Sequence, residues 1–115
     1  VHFATLTDII SKAWSAKTTK EYKILKGLKK ENLRDNMTNT ELILNMLAEA
    51  STTDISKATS PESFEDNMIV AQQGGNVAKV ALKELESKTG NKVITSLNAK
   101  DVIEQKKQKG SLDNK

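Results

Sequence analysis

Apolar side chains recur at helical spacing in the first part of the chain, and polar helix-start motifs precede them. Residues 5–8 (TLTD) have the form of a capping box, in which side-chain oxygens accept from free backbone N–H groups. Leu6, Ile9, Ile10, Ala13 and Trp14 then follow at spacings of three and four, which predicts a short helix over 6–15. A second capping box at 18–21 (TTKE) predicts a helix that ends at Gly27.

A third capping box, at 38–41 (TNTE), precedes the clearest apolar stripe of the first half. The spacing predicts a central helix over about 39–51, which fades where Thr52 and Thr53 interrupt the pattern. Its apolar stripe comprises Leu42, Ile43, Met46, Leu47 and Ala50. Between the second and third boxes the charges are mixed, and we expect a short helix over 31–36.

The second half contains one long helical pattern. Ser60 as the N-cap and Pro61 at the first helical position predict its start, and Gly90 predicts its end, so the helix should span about 61–89. Its apolar or small positions alternate by four and three, as in a heptad seam: Phe64, Met68, Ala71, Gly75, Ala78, Leu82 and Leu85.

Two adjacent glycines, Gly74 and Gly75, interrupt this long helix with residues of poor helix propensity. Either another backbone crosses closely at this point, or the helix kinks or breaks. We favour a continuous or gently bent helix because the heptad phase continues across both glycines.

The C-terminal part predicts less order. Residues 92–95 (KVIT) resemble a short β-segment, residues 98–101 open a last helical piece, and residues 105–115 form a charged tail that we expect to be disordered. Only 3% of the residues are aromatic, which favours close-packed helices over a β-sandwich. We therefore predict an all-α fold: a small helical domain over 1–104 whose long C-terminal helix packs on the central apolar helix.

The composition argues against catalysis. There is no cysteine, and the only histidine, His2, lies at the start of the chain, so thiolate chemistry and a well-placed imidazole base are both absent. No nucleophile motif or phosphate loop occurs, and the carboxylates lie mainly at helix starts. We expect no enzyme activity, cofactor, metal site or small-molecule substrate. No apolar run reaches membrane-span length and no signal peptide is visible, so we expect a cytoplasmic protein without membrane contact.

Basic residues are concentrated in one segment of a chain whose net charge is only +3. A lysine ridge of this kind can bind phosphates through counterion release, although a solvated helix face explains it at least as well. A helix-turn-helix over 31–50 is rejected because its second helix is mostly apolar. The candidate nucleic-acid contacts are Lys17, Lys20, Lys23, Lys26, Lys29, Lys30 and Arg34.

The heptad seam has two interpretations. It either packs within the chain on the helix at 39–51 or pairs with its copy in a second chain, and small residues at the crossing suit both arrangements. A chain of 115 residues with few large side chains builds a thin core, which leads us to favour a homodimer.

The segments KGLKKENLRDNMTNTEL and QQGG followed by VAK resemble the C-terminal region of BRO-N-containing phage antirepressor-like proteins and, more distantly, of DNA-damage-inducible protein D. The resemblance covers residues 5–103. It implies the C-terminal part of a larger protein: a regulatory domain of a phage-related antirepressor or SOS damage-response protein, normally placed after a DNA-binding BRO-N domain. That domain is not visible here.

On this basis we expect a non-enzymatic interaction domain that acts by protein contact or oligomerisation, with auxiliary contact to DNA. The alternatives are a stand-alone DNA-binding module that uses the basic 17–34 segment, and a purely structural dimerisation domain.

Overall fold

The computed structural model describes residues 2–97, with side chains from residue 4 onwards. This part of the chain is helical, with no strand, which confirms the predicted all-α class. The longest helix packs against both the first and the third helix, so the predicted pairing with the central helix is confirmed and a second partner is added. The α-helices are α1 (His2–Ser15), α2 (Thr19–Leu25), α3 (Asn39–Thr59) and α4 (Phe64–Thr89), with a 3-10 turn at Arg34–Asn36.

Two of the three predicted capping boxes are present with both of their hydrogen bonds. At the start of α2, the Glu21 backbone N–H donates to Thr18 Oγ1 (3.2 Å) and the Thr18 N–H donates to Glu21 Oε1 (2.9 Å). At the start of α3, Thr38 and Glu41 repeat the pattern at 3.3 Å and 3.1 Å. These exchanges satisfy backbone donors that a helix start otherwise leaves free, which is why the local sequence located both helices correctly.

The capping box predicted at 5–8 does not start a helix. Helix α1 already begins at His2, so residues 5–8 lie inside it. Asp8 instead accepts a hydrogen bond from the backbone N–H of Thr19 (3.1 Å), at the start of α2. Its carboxylate therefore stabilises the start of the next helix and not of its own.

The turn between α3 and α4 lies later than predicted. Helix α3 continues through Thr52 and Thr53, whose hydroxyls donate to the carbonyls of Ala48 (2.8 Å) and Glu49 (3.1 Å), four residues back along the helix. Ser60 is not an N-cap but ends α3 in the left-handed conformation, with φ of 49°. Ser63 caps α4, accepting from the N–H of Asp66 (3.0 Å).

Helix α4 is continuous through Gly74 and Gly75, as predicted, because two helices cross it there at close range. A Cβ atom placed on Gly74 would lie 2.7 Å from the Cα of Thr52 in α3. A Cβ atom on Gly75 would lie 2.8 Å from the carbonyl oxygen of Ile10 in α1. Real Cβ atoms essentially never lie within 3.0 Å of such an atom. Each glycine therefore leaves room for the backbone of one neighbouring helix.

The centre of the predicted seam packs within the chain. Ala71, Gly75, Ala78 and Leu82 are buried, Phe64 is half-buried, and Met68 and Leu85 remain 37% exposed. Helices α1 and α3 cover the buried residues of this face of α4. The interpretation of the seam as helix packing is the one that agrees with the structure.

The predicted apolar stripe of α3 is rotated in the structure. The buried line is Glu41, Leu44 and Ala48, at spacings of three and four, whereas Ile43, Met46 and Ala50 are exposed. The prediction failed because it counted only apolar residues, whereas the acidic Glu41 lies in the interior with its carboxylate hydrogen-bonded.

The segment after α4 adds no strand to the described residues, so the β-like prediction for 92–95 is not confirmed. Gly90, with φ of 74°, ends α4 as predicted. Val93 and Ile94 then pack against the buried core. The expected short helix over 31–36 is present only as the 3-10 turn, and the predicted helical piece at 98–101 and the tail at 105–115 lie outside the described residues.

Replacing either crossing glycine by alanine should destabilise the fold. Helix propensity alone predicts a gain of about 1 kcal/mol for glycine to alanine. The added methyl group would overlap the backbone of α3 or α1, so we expect Gly74→Ala and Gly75→Ala each to lose roughly 1–3 kcal/mol. Urea denaturation monitored by circular dichroism measures the effect. Asn76→Ala, at the exposed neighbouring position, is the control and should change stability by less than about 0.5 kcal/mol.

Candidate functional site

The most unusual group of side chains is a buried polar network between α2 and α3. The Tyr22 hydroxyl donates to Glu41 Oε2, and Lys26 Nζ lies 2.5 Å from Glu41 Oε1. The Tyr22 and Glu41 residues are 0% exposed and Lys26 is 4% exposed. Lys26 also donates to the backbone carbonyl of Leu97. The network therefore joins α2, α3 and the segment that follows α4.

Every charge in this network has a partner, as a buried ion pair requires. Glu41 accepts from Tyr22, from Lys26 and from the backbone N–H of its own N-cap residue, Thr38. Burial, followed by the hydrogen bond to the Glu41 carboxylate, raises the pKa of Tyr22 far above its usual range. The Trp14 ring packs 6.1 Å from the Tyr22 ring, centre to centre, and closes the network from the side of α1.

This enclosure makes the network structural. No substrate can reach a Glu41 carboxylate or a Tyr22 hydroxyl that has no solvent-accessible surface. Trp14 and Tyr22 are both fully buried and belong to the hydrophobic core.

The network also removes one residue from the predicted nucleic-acid surface. Lys26 was predicted as a phosphate contact, but its ammonium group is buried and bound to Glu41, so this assignment is wrong for the described conformation. Arg34 is exposed and pairs with Glu49 (3.2 Å). Of the remaining candidates, Lys20, Lys29 and Lys30 are exposed, and Lys17 and Lys23 are half-buried.

A cleft of about 540 Å³ is enclosed by residues of all four helices. Its apolar lining includes Ile10, Leu33 and Val70, and its polar lining consists mainly of hydroxyl and amide groups, with the Arg34–Glu49 pair at one side. Neither histidine nor cysteine lines it. The cleft has the size of a small-molecule site, but it contains no nucleophile paired with a base.

Large apolar side chains are exposed on the opposite surface of α4. Ile69, Val77 and Val80 are 57%, 43% and 70% exposed. At 100° per residue these three positions share one side of the helix, opposite Ala78 and Leu82. We call this surface, together with the interspersed Gln73 and Asn76, the outer face of α4.

Two further classes of site find no support in the described residues. Within residues 2–97, no three histidine, aspartate or glutamate side chains are grouped so that they could hold a metal ion. In the same part of the chain, no helix combines the length and apolar character needed to cross a membrane.

Sequence reasoning missed the two charged members of the network. Lys26 falls in the same three-residue repeat as the exposed Lys20 and the half-buried Lys23, so nothing in the local sequence distinguishes it. Glu41 carried one signal, its position in a capping box, but that explains a carboxylate at a helix start and not its burial.

The stability of the protein should fall at alkaline pH because of Tyr22. Its pKa is raised in the folded state, so the unfolded chain loses the hydroxyl proton near pH 10 while the folded chain retains it. The free energy of unfolding should therefore decrease above about pH 10, by up to about 1.4 kcal/mol per pH unit from this group. Urea titrations between about pH 9 and pH 11 measure the slope.

Tyr22 is the only tyrosine, so tyrosinate absorbance reports on this residue alone. The absorbance should appear only as the protein unfolds. Tyr22→Phe is the control, and it should lack this component of the pH dependence. A tyrosinate signal near pH 10 in the fully folded protein would contradict the assignment.

Comparison with known proteins finds no match: no family model, curated protein or solved structure is similar to the chain.

Proposed function

We propose that this chain is a non-enzymatic interaction module that self-associates through the outer face of α4. The observation that carries the proposal is the exposure of Ile69, Val77 and Val80 along one side of a long helix whose other side is fully used by the core. Single exposed apolar side chains are common, but three on one helix face form a surface that another protein can cover.

The charge pattern favours a second copy of the chain as the partner. Residues 67–78 (NMIVAQQGGNVA) contain no charged side chain, although 29% of the whole chain is charged. In a two-fold symmetric contact, a charge near the symmetry axis would meet its own copy and be repelled. Residues 67–78 bring no such charge to the axis, and they offer a strongly charged partner no opposite charge. Val80 lies just beyond this stretch, between Lys79 and Lys83.

The length of α4 suits such a contact. Its 26 residues span about 39 Å, so two antiparallel copies can touch over several turns. A standard interface buries about 800 Å² on each partner, and a helix pair of this length, with flanking side chains, is of that order.

The resemblance to phage antirepressor-like and damage-inducible proteins supports the biological setting of this proposal. In this role the module would hold two chains in one complex, and its lysines would add weak contacts to DNA.

Sedimentation velocity over a concentration series tests self-association. We expect a dimer that dissociates on dilution, and Val80→Lys should weaken it at least about tenfold because an ammonium group would be desolvated in the contact. Ile24→Lys is the matched control, since Ile24 on α2 is 68% exposed and Val80 is 70% exposed. It should leave the dimer unchanged. A wild-type protein that stays monomeric at the highest concentrations would refute the proposal.

The second candidate function, direct DNA contact by the basic segment, has its own observation. Within residues 2–97, Lys20, Lys29 and Lys30 have no carboxylate within 4.0 Å, so their charges are available to phosphates. The contact would depend on charge and would carry no base recognition.

Fluorescence anisotropy with a labelled duplex of arbitrary sequence tests this second function. Binding should decrease steeply with salt, and Lys20→Glu with Lys29→Glu should weaken it at least about fivefold. Lys26 is left intact because its loss would break the buried pair with Glu41. Lys57→Glu with Lys88→Glu makes the same charge change elsewhere and serves as the control. Absence of binding at low salt would exclude direct contact.

A further inference from the structure

A second concave site, separate from the cleft, is lined by five lysines. It lies where the end of α1, the second half of α4 and the segment after α4 meet, and its volume is about 340 Å³. We call it the lysine hollow. Trp14, Leu82 and Ile94 contribute its apolar part, and its lysines are Lys12, Lys17, Lys79, Lys83 and Lys92.

The positive charge of the hollow is not neutralised by the described part of the chain. None of its five lysines has a carboxylate within 4.0 Å among residues 2–97. One carboxylate, Glu86, lines the hollow, and its Oε2 already accepts the backbone N–H of Val93 (3.0 Å). Glu21 is close enough to Lys12 and Lys17 for them to help lower its pKa, although hydrogen bonds from Thr18 are the larger cause.

This concentration of charge is a product of the fold. Lys12 and Lys92 are 80 positions apart in the sequence, and the basic residues of the 17–34 segment, apart from Lys17, lie elsewhere. Like charges gathered in one concavity repel each other, and walls of low dielectric strengthen their combined field. An anion bound between them would relieve that repulsion.

One residue that lines the hollow, Trp14, also has an unpaired buried donor. Trp14 lines the hollow and is 1% exposed, yet its Nε1–H has no hydrogen-bond partner in the described structure. Buried indole N–H groups usually find an acceptor, because an unmade hydrogen bond is costly in the interior. Because this N–H has no accessible surface, an anion in the hollow would be held by the five lysines and not by Trp14.

From these observations we propose that the lysine hollow binds consecutive phosphate groups, as in an oligophosphate. Several lysines on separate elements match a chain of phosphates better than a single carboxylate, and the small volume suits two or three phosphate units. The Trp14 ring is too buried to stack on a base, so recognition is confined to the phosphates. The proposal is independent of self-association, because Ile69, Val77 and Val80 do not line the hollow.

Trp14 is the only tryptophan of the chain and therefore reports on its own site. Tripolyphosphate added at constant ionic strength should change the Trp14 fluorescence in a saturable way and raise the unfolding temperature. Sodium sulfate at the same ionic strength should do neither at comparable concentration.

Two charge-matched variants locate the binding. Lys79→Gln with Lys83→Gln removes two lysines of the hollow and should weaken tripolyphosphate binding about tenfold. Lys29→Gln with Lys30→Gln removes the same charge outside the hollow and should leave binding within about twofold of wild type. Equal losses in the two variants would overturn the proposal, since binding would then follow net charge alone.

Further titrations identify the source of the phosphates. If adenosine triphosphate binds as tightly as tripolyphosphate, the ligand is a nucleotide or a free oligophosphate. If a short oligothymidylate binds more tightly, and this binding is also lost in the Lys79/Lys83 variant, the ligand is a nucleic-acid backbone. The absence of both a fluorescence change and a thermal shift with all three ligands at millimolar concentration would refute the proposal.

Discussion

The carboxylate of Glu41 is the interaction on which the arrangement of the helices depends. One of its oxygens accepts the Tyr22 hydroxyl, and the other accepts both the Lys26 ammonium group and the Thr38 N–H at the start of α3. Lys26 extends the connection to Leu97. A buried carboxylate without these donors would be strongly destabilising, so α2, α3 and the segment after α4 must come together in one relative position.

The second constraint is the close approach of helices to α4. Gly74 leaves room for α3, and Gly75 leaves room for α1. Helix α4 therefore packs against two neighbours without large side chains at the crossing. At the crossing, α4 places its smallest residues in the core, while Ile69 and Val80 on the other side stay exposed. The interior face and the proposed self-association face therefore follow from the same distribution of side-chain sizes.

Much of the fold was predictable because helix boundaries are partly local. The capping boxes at Thr18 and Thr38 and the end of α4 at Gly90 depend on a few neighbouring residues, and they occur where the sequence placed them. Ser60 and Ser63 show the limit of such reasoning, since serine favours N-caps at either position, yet Ser63 caps α4 and Ser60 ends α3. Thr52 and Thr53 interrupt the apolar pattern but not the helix, because their hydroxyls bond to carbonyls within it.

The candidate sites were less predictable than the fold because they depend on residues far apart in the chain. The lysine hollow joins Lys12 to Lys92, and no short window of the sequence contains both. The roles of Lys26 and Glu41 likewise depend on their pairing with each other, and the two residues are 15 positions apart. A sequence pattern can show that a residue is charged, but not whether the fold will bury it beside an opposite charge.

The position of α4 also affects when this protein can fold during synthesis. Helices α1 and α3 contact α4 far more than they contact each other, and α4 is the last helix of the described chain. Until residues 64–89 have left the ribosome, the earlier helices lack the surface that would hold them together. Folding should therefore occur late and as a single event, and before it occurs the apolar faces of α1 and α3 are open to chaperones.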